Sequence, residues 1–361
     1  MCVSTEIQTS AARAGWLDRL RVPLRFGHLA YLDGWRGICI LLVIAGHSAA
    51  GLGPLANAGV EFFFVLSGRL MADLLVFRQQ PIGLFLRRRV ARVGPAIAVY
   101  ALLVGAALNV SLWLQGQPLR LLSPLGALFF FHNYLPHDQV VALFEHSWSL
   151  AVEEHSYLLL VLIVFAARRR PLLCAAIAAA VCALAVASFY RHLALPYDGG
   201  QFLTWRSDVR VGSVLLSFAM CILMRRREWR IPSWAPLAAA AAALPFMFGE
   251  GEVGPLRLLA CTGLAAFAVN ALGHCSDAVR ARLASPLLVW FGTLSFSIYV
   301  WQQLFYVIWH AGTPAIVCIP ALLGCALMSY RLVEDPARNL LNARWTGGRP
   351  KMAAQSPAAL G

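Results

Sequence analysis

Long apolar runs alternate with short arginine-rich stretches along most of the chain. Ten of these runs are close to the length of about 20 residues that a helix needs to cross a bilayer. They lie near 36–53, 57–77, 93–114, 147–167, 171–190, 207–224, 232–249, 254–273, 286–309 and 313–333. The pattern predicts an all-α fold, a polytopic integral membrane helical bundle of about ten transmembrane helices.

A further apolar stretch at 123–135 is too short to be a full span, and the arginine clusters indicate how it lies. Cytoplasmic loops of membrane proteins are enriched in Lys and Arg. If this stretch does not cross the bilayer, all the arginine clusters lie on the same side of the membrane as the N-terminus. If it crosses the bilayer fully, three of the clusters lie on the outer side, against the expected bias. The clusters are 78–92, 168–170, 225–230, 280–282 and 331–351. We therefore predict a re-entrant or interfacial segment and two cytoplasmic termini.

The same pattern predicts three regions of the chain. Residues 1–29 form a cytoplasmic N-terminal lead-in, residues 30–341 form one membrane domain, and residues 342–361 form a cytoplasmic tail that is predicted to be disordered. No apolar core precedes the first span, so we expect no cleaved signal peptide.

Composition excludes a soluble protein. Of the 361 residues, 60% are hydrophobic and 13% are charged, and the mean hydropathy is +0.67. A formal charge of +13 would indicate nucleic-acid binding in a soluble chain. Here the arginines are clustered between apolar runs, which is the positive-inside pattern of membrane proteins. The expected partner is therefore the lipid bilayer, and we expect no binding of nucleic acid. The nine cysteines lie singly without a CxxC pair, which predicts neither a disulfide framework nor a metal site.

The first span carries two polar residues that are costly in hydrocarbon, Arg36 and His47. Ionisable residues inside a span indicate a functional site. Eleven residues bring His47 back to within about 20° of Arg36, roughly 16 Å further along the helix. Both side chains therefore face one direction. The alternative is that Arg36 snorkels to the interface and His47 is hydrogen-bonded inside the bundle.

Acidic residues enter two further spans from the predicted outer side. Glu61 lies one turn beyond Asn57, and Glu153 and Glu154 lie side by side about two turns into the span that begins HSWSL. A buried carboxylate must be protonated or have a partner. Two adjacent carboxylates at this depth are difficult to explain by packing, so this pair indicates function more strongly than Glu61 does.

Two arginines of the cluster FLRRRVARVGP, Arg89 and Arg92, are three residues apart and share a helix face. Two guanidinium groups that converge in this way can bind a phosphate or pyrophosphate. The cluster as a whole is better explained as a topology signal or as a contact with anionic lipid.

Other polar groups have a structural explanation of equal or greater weight. Trp205, Arg206, Asp208 and Arg210 form an outer patch that fits an acceptor contact or an interfacial anchor. Glu334, Asp335 and Arg338 are typical of a structural cap at the cytoplasmic edge.

Six ordered motifs resemble those of the membrane acyltransferase-3 family, which includes O-acetyltransferases of surface polysaccharides. They are LDGWRGICILLVIAGH, GVEFFFVLSGRL, FLRRRVARVGP, HSWSLAVEEHSYLL, FGTLSFSIYVWQ and YRLVEDPARNL, and they cover about residues 30–341. The resemblance implies a membrane acyltransferase domain of ten spans in the bacterial cytoplasmic (inner) membrane. It also implies that acetyl-CoA or another acyl-CoA is the donor substrate and that a carbohydrate accepts the acyl group at the outer side. A protein of this kind is expected to act together with polysaccharide biosynthesis machinery.

The family motifs transfer to this chain residue by residue. The Arg-x10-His signature corresponds to Arg36 and His47, the Arg-x-x-Arg pair to Arg89 and Arg92, and the glutamate of WSLxxE to Glu153. The chain departs from the family at two positions: Glu61 stands where most members carry Asp, and Gln302 stands where many carry His after Trp.

Acyl transfer to a hydroxyl requires a base, and histidine, with a reference pKa near 6.5, suits that task. We predict His47 as the base and Glu61 or Glu153, both on the outer half, as the partner that fixes its tautomer. CoA phosphates are predicted on Arg89 and Arg92, with the pantetheine arm directed toward His47. An acyl-imidazole on His47 is a variant of this mechanism.

The alternative class is a proton-coupled secondary transporter of a small polar or anionic solute. Such carriers also have buried acids, a histidine and discontinuous apolar segments. Release of free CoA by the purified protein distinguishes the two classes.

Overall fold

The computed structural model describes residues 30–48, 52–194, 200–227, 229–248 and 254–345. These residues form helices and turns without a β-strand, which confirms the predicted all-α class. The helices are α1 (Ala30–Ser48), α2 (Gly53–Met71), α3 (Ile82–Leu114), α4 (Leu122–Leu128), α5 (Ser147–Ala166), α6 (Pro171–Ala194), α7 (Ser207–Met224), α8 (Ala235–Ala243), α9 (Pro255–Ala271), α10 (Asp277–Leu283), α11 (Pro286–His310), α12 (Ala315–Ser329) and α13 (Asp335–Trp345). The predicted lead-in and the tail beyond residue 345 lie outside the described residues.

Six helices in the described part of the chain are long and apolar enough to cross a membrane. A seventh span results if α10 and α11, which meet at 50°, count as one broken span. The remaining predicted spans fall on α1 and α2, which carry polar residues into the bundle, and on the short apolar helix Ala235–Phe246. The chain is a multi-pass membrane protein, but the count of about ten spans is not confirmed.

Contacts between connecting segments define one end of the bundle. Arg169 Nη2 donates to the carbonyl oxygen of Gln80 at 3.0 Å, which brings the α5–α6 and α2–α3 connections together. Arg225, just after α7, forms an ion pair with Asp73 at 2.9 Å. We call this the arginine-rich end, and the other the opposite end.

The apolar stretch at 123–135 lies at the opposite end. It contributes α4, whose seven residues are about 10 Å long, much less than the hydrocarbon thickness of about 30 Å. Ser123 Oγ lies 3.0 Å from His132 Nε2, so the stretch folds back on itself. Asn133 Nδ2 then donates to Ser207 Oγ at 2.8 Å, at the start of α7. The stretch begins and ends at the same end of the bundle.

Two buried apolar clusters flank α2, which therefore occupies the centre of the bundle. Phe64 belongs to one cluster, and Phe62 and Val65 belong to the other. Because α2 is surrounded by protein rather than lipid, it can carry polar side chains that the neighbouring helices bind.

Glycines allow α1 and α11 to pack backbone to backbone. A Cβ atom at Gly37 would collide with the carbonyl oxygen of Leu288, and one at Gly292 would collide with that of Asp33. Only glycine permits this approach without a shift of either helix.

The close packing fixes the register of α1 against α11. Arg36 Nη2 donates to Ser295 Oγ at 3.0 Å. His47 packs edge-on against Tyr306, with ring centroids 4.9 Å apart. The two contacts lie eleven residues apart on α1 and eleven residues apart on α11. Arg36 and His47 therefore face the same neighbouring helix at two different heights.

Candidate active site

A cavity of about 300 Å³, here called the arginine cavity, lies between α1, α2, α3, α5 and α11. Its polar lining consists of Arg36, Ser67, Asp73, Arg78, Arg89, Arg92, Ser149, Glu153, Tyr157, Ser295 and Tyr299. Asp73 and Arg78 belong to the arginine-rich end, so the cavity reaches toward that end. Apolar side chains, mainly from α2, form the remaining wall.

Arg89 binds both neighbouring carboxylates of α5. Its Nη2 lies 3.0 Å from Glu153 Oε2, and its Nε lies 2.6 Å from Glu154 Oε1. The guanidinium carbon also lies 4.2 Å from the ring centroid of Tyr157, a cation–π contact. Adjacent residues on a helix point about 100° apart. The Arg89 guanidinium lies between the two carboxylates and forms an ion pair with each of them.

Glu153 has three donors. Besides Arg89, the hydroxyl of Ser67 donates to its Oε1 at 2.6 Å, and the hydroxyl of Tyr157 donates to the same oxygen. These donors favour the ionised carboxylate and fix its orientation. Glu153 is therefore a structural anion that links α2, α3 and α5 at the cavity wall.

Arg36 and Arg92 are less neutralised than Arg89. Arg36 donates to Ser295 and approaches Asp33 only to 3.9 Å. Arg92 lines the cavity and has no hydrogen-bond or ion-pair partner among the described residues, although Arg36 and Glu334 are near enough to interact with it electrostatically. Positive charge without a matching protein anion favours binding of an anionic ligand.

His47 lines a second, smaller cavity of about 30 Å³, here called the His47 cavity. The lining is Ile44, His47, Ser48, Gln302, Phe305, Tyr306, Trp309, Cys318, Ile319 and Leu322. His47 Nδ1 lies 2.8 Å from the carbonyl oxygen of Val43. That contact holds the proton on Nδ1 and leaves Nε2 as the basic nitrogen. The tautomer is therefore fixed by the backbone, and neither Glu61 nor Glu153 serves as the partner that the sequence suggested.

Glu61 lies apart from both cavities. It is 1% exposed, with Oε2 at 3.0 Å from Arg210 Nη2, and Thr262 Oγ1 donates to Oε1 at 2.5 Å. This buried ion pair joins α2, α7 and α9. Arg210, which the sequence offered as an acceptor contact or an interfacial anchor, is instead the counter-ion of Glu61.

The arginine cavity thus brings together four of the six predicted site residues, Arg36, Arg89, Arg92 and Glu153. His47 and Glu61 lie elsewhere. Sequence reasoning did not single out Tyr157, which follows Glu153 by four residues and could have been found from that helical spacing. Ser67 and Ser295 gave no comparable signal, because serine is also common in packed membrane helices.

This fold and site define a multi-pass helical membrane protein with a buried, positively charged cavity. The chain belongs to the membrane acyltransferase-3 family, because the family model described as "Acyltransferase domain" matches residues 29–330. The family indicated by the six sequence motifs is confirmed. Membership of this family does not favour the transporter alternative.

Curated relatives of the chain include proteins of Staphylococcus aureus. "O-acetyltransferase OatA" of strain NCTC 8325 and of strain COL are each 25% identical to this chain over 365 residues, which covers 86% of this chain and 57% of the relative. A protein of strain COL named "Putative O-acetyltransferase" is 25% identical over 350 residues, covering 85% and 57%. The chain therefore spans little more than half the length of these relatives. No solved structure matches the chain.

Proposed function

We propose that the chain is a membrane O-acyltransferase that moves an acyl group, acetyl first of all, from cytoplasmic acyl-CoA to a hydroxyl of a surface or exported glycan. The names of the relatives support transfer of an acetyl group to oxygen. Arg92 carries the proposal for the donor, because its guanidinium group lines the cavity and makes no hydrogen bond or ion pair with the described residues, with Glu334 acting on it only at longer range.

The charge of the arginine cavity suits a polyanionic donor. Its lining contains four arginines, Arg36, Arg78, Arg89 and Arg92, against two acidic residues, Asp73 and Glu153. Phosphate oxygens form strong charge-assisted hydrogen bonds with guanidinium groups. In this proposal Arg92 and Arg36 provide the main phosphate contacts.

Arg89 has a different part in donor binding from Arg92. Two carboxylates already bind its guanidinium, so it adds little free positive charge to the cavity. We assign Arg89 to hold Glu153 and Glu154 in place and to contact the donor only through the remaining NH groups.

His47 acts as the general base in the proposed reaction. Its Nε2 takes the proton of the acceptor hydroxyl, and the oxygen then attacks the thioester carbonyl. Arg36 and His47 are eleven residues apart on α1, so about 16 Å of helix separates phosphate binding from chemistry. The pantetheine arm of CoA covers this distance, and the acceptor enters from the opposite end.

The arginine clusters support placement in a bacterial cytoplasmic membrane with the arginine-rich end inside. In that orientation the arginine cavity faces the cytoplasmic pool of acyl-CoA, and His47 lies toward the outside. A chain that acetylates exported glycans would operate beside the machinery that makes and exports them.

The test uses the purified chain in nanodiscs with acetyl-CoA labelled in the acetyl group. We expect free CoA thiol and labelled product only when a glycan acceptor is present, and loss of both in His47→Ala. Glycans isolated from a strain lacking the gene are expected to lose an acetyl mass. Solute uptake by proteoliposomes without any CoA release would support the transporter instead.

A further inference from the structure

Gln302 is buried in the same cavity as His47, and its amide nitrogen has no partner among the described residues. The side chain is 3% exposed, and its Nε2 has no hydrogen-bond partner among the described residues. Buried donors in proteins are almost always satisfied, by protein groups, ordered water or a ligand. The neighbouring Gln303 follows that rule, because its Nε2 donates to the carbonyl oxygen of Ala142 at 2.7 Å.

The His47 cavity combines this donor with an apolar surface. Ile44, Phe305, Ile319 and Leu322 are four of its ten lining residues and have purely hydrocarbon side chains. A cavity needs about 10–15 Å³ to hold one water, so about 30 Å³ accommodates two or three atoms other than hydrogen. That is the size of an acetyl group.

The arginine cavity and the His47 cavity follow one another along α11. Ser295, Tyr299, Gln302 and Tyr306 are spaced by four, three and four residues, so they form one face of the helix. Ser295 and Tyr299 line the arginine cavity, whereas Gln302 and Tyr306 line the His47 cavity. Tyr299 and Gln302 are three residues apart, about 4.5 Å along the axis.

A polar face of α5 lies opposite this boundary. Ser149 Oγ lies 2.5 Å from Tyr299 OH, which links α5 to α11 between the cavities. His146, one turn earlier, is buried beside Tyr299 and close enough to His47 to interact electrostatically. Polar side chains of α5 and α11 thus lie between the arginine cavity and His47.

Resting on the proposed function, we propose that the His47 cavity is the acyl pocket, in which Gln302 Nε2 donates a hydrogen bond to the thioester carbonyl and the apolar wall admits acetyl but excludes longer acyl groups. Gln302 is then a further catalytic residue, because it touches the reacting carbonyl. Ile319 and Leu322 determine the length of the acyl group.

The transfer step balances with these groups alone. His47 Nε2 removes the hydroxyl proton, the acceptor oxygen bonds to the carbonyl carbon, and the electron pair of the C=O bond moves to the carbonyl oxygen. Gln302 stabilises that oxyanion. The C=O bond then re-forms, the C–S bond breaks, and the thiolate takes the proton from His47. The products are an ester and free CoA.

The first test measures acyl-chain selectivity. Wild-type protein in nanodiscs, with the glycan acceptor that supports acetyl transfer present at a fixed concentration, is supplied with acetyl-, propionyl-, butyryl- and octanoyl-CoA, and kcat/KM is measured from CoA thiol release. We expect acetyl to exceed butyryl by more than tenfold. Ile319→Ala enlarges the pocket and should raise the butyryl-to-acetyl ratio at least tenfold. Leu322→Val is a milder second variant that should shift the ratio in the same direction.

Ile316→Ala is the matched control for selectivity, because Ile316 lies on the same helix and is 82% exposed. An unchanged ratio in both pocket variants, or wild type that uses butyryl-CoA as well as acetyl-CoA, overturns the pocket and leaves the proposed function intact. No CoA release from any acyl-CoA overturns both.

The second test separates catalysis from structure at Gln302. Gln302→Leu should lower kcat by about 10²–10³, the usual effect of removing an oxyanion donor, with KM for acetyl-CoA unchanged. Its melting temperature should stay the same or rise, because an unpartnered amide is replaced by an apolar group. Gln302→His, which restores a donor, should recover part of kcat and add a dependence on pH.

Gln303→Leu provides the contrast for Gln302→Leu. It breaks the bond to Ala142, so it should lower the melting temperature. Retention of more than a tenth of kcat in Gln302→Leu, or a fall of kcat accompanied by a lower melting temperature, rejects the catalytic role of Gln302.

Discussion

Arg89 of α3 and Glu153 of α5 form a direct ion pair, with Nη2 and Oε2 3.0 Å apart. From the sequence, the arginine was predicted at the cytoplasmic edge and the glutamate on the outer half. They meet because α3 is a continuous helix of 33 residues that carries Arg89 into the bundle. The proposed donor site and the glutamate of the WSLxxE motif therefore share one cavity, and a change at either residue affects the other.

Arg92→Ala should weaken donor binding more than any change at Arg89. A hydrogen bond to a charged group contributes about 1.5–3 kcal/mol, so we expect the apparent KM for acyl-CoA to rise about ten- to a hundredfold. The measurement is titration of acetyl-CoA against purified variants in nanodiscs. Arg88→Ala is the control, because Arg88 is exposed on the same helix and does not line the cavity. Equal effects of the two substitutions would show that only general positive charge matters.

Glu153→Gln should lower kcat without weakening CoA binding. The substitution removes one of two counter-charges of Arg89 and makes the arginine cavity more positive, so CoA affinity should stay the same or increase. The turnover should fall because Arg89, Ser67 and Tyr157 lose the anion that orients them. CoA binding is measured by calorimetry and kcat by thiol release. A tenfold loss of CoA affinity contradicts this prediction, and Glu145→Gln, outside the cavity lining, should change neither quantity.

His47→Ala should abolish transfer while the protein still accumulates in the membrane. Removal of a general base usually costs about 10²–10⁴ in rate. Acetyl-CoA binding should persist, because His47 lies in a cavity separate from Arg92. His310→Ala is the matched control, since His310 is exposed at the end of α11. If His47→Ala keeps more than about a tenth of wild-type turnover, His47 is not the base.

Gly292→Ala should destabilise the contact between α1 and α11. The added methyl group would collide with the carbonyl oxygen of Asp33, and overpacking of this kind costs about 1–3 kcal/mol. We expect a lower melting temperature and reduced turnover, because the displacement of α1 from α11 separates Arg36 from Ser295.

Gly324→Ala is the control for this packing effect, since no heavy atom lies within 4 Å of an added Cβ there. The control should be neutral or stabilising, because alanine favours a helix by about 1 kcal/mol over glycine. A similar loss of stability in both variants would argue against the packing explanation.

The sequence alone determined the helical class, the membrane environment and the family. A hydrophobic run of bilayer length indicates a helix that crosses the membrane, and such a run can be recognised from local composition alone. Helical periodicity also placed Arg36 and His47 on one face at two heights, and the structure confirms this through Ser295 and Tyr306. The number of spans was less accessible, because α1 and α2 are enclosed by protein and need not be uniformly apolar.

Only the tertiary structure decided which charged groups meet. Periodicity gives the direction and height of a side chain on its own helix, but its partner depends on which helix packs alongside and in which register. Glu61 therefore pairs with Arg210, 149 residues away in the sequence, rather than with His47. Arg89 likewise takes up Glu153 and Glu154, while Arg92, one turn further along the same helix, keeps its charge without an ion-pair partner among the described residues. Backbone contacts at Gly37 and Gly292 likewise fix the register of α1 against α11, because two helices can approach so closely only where side chains are absent.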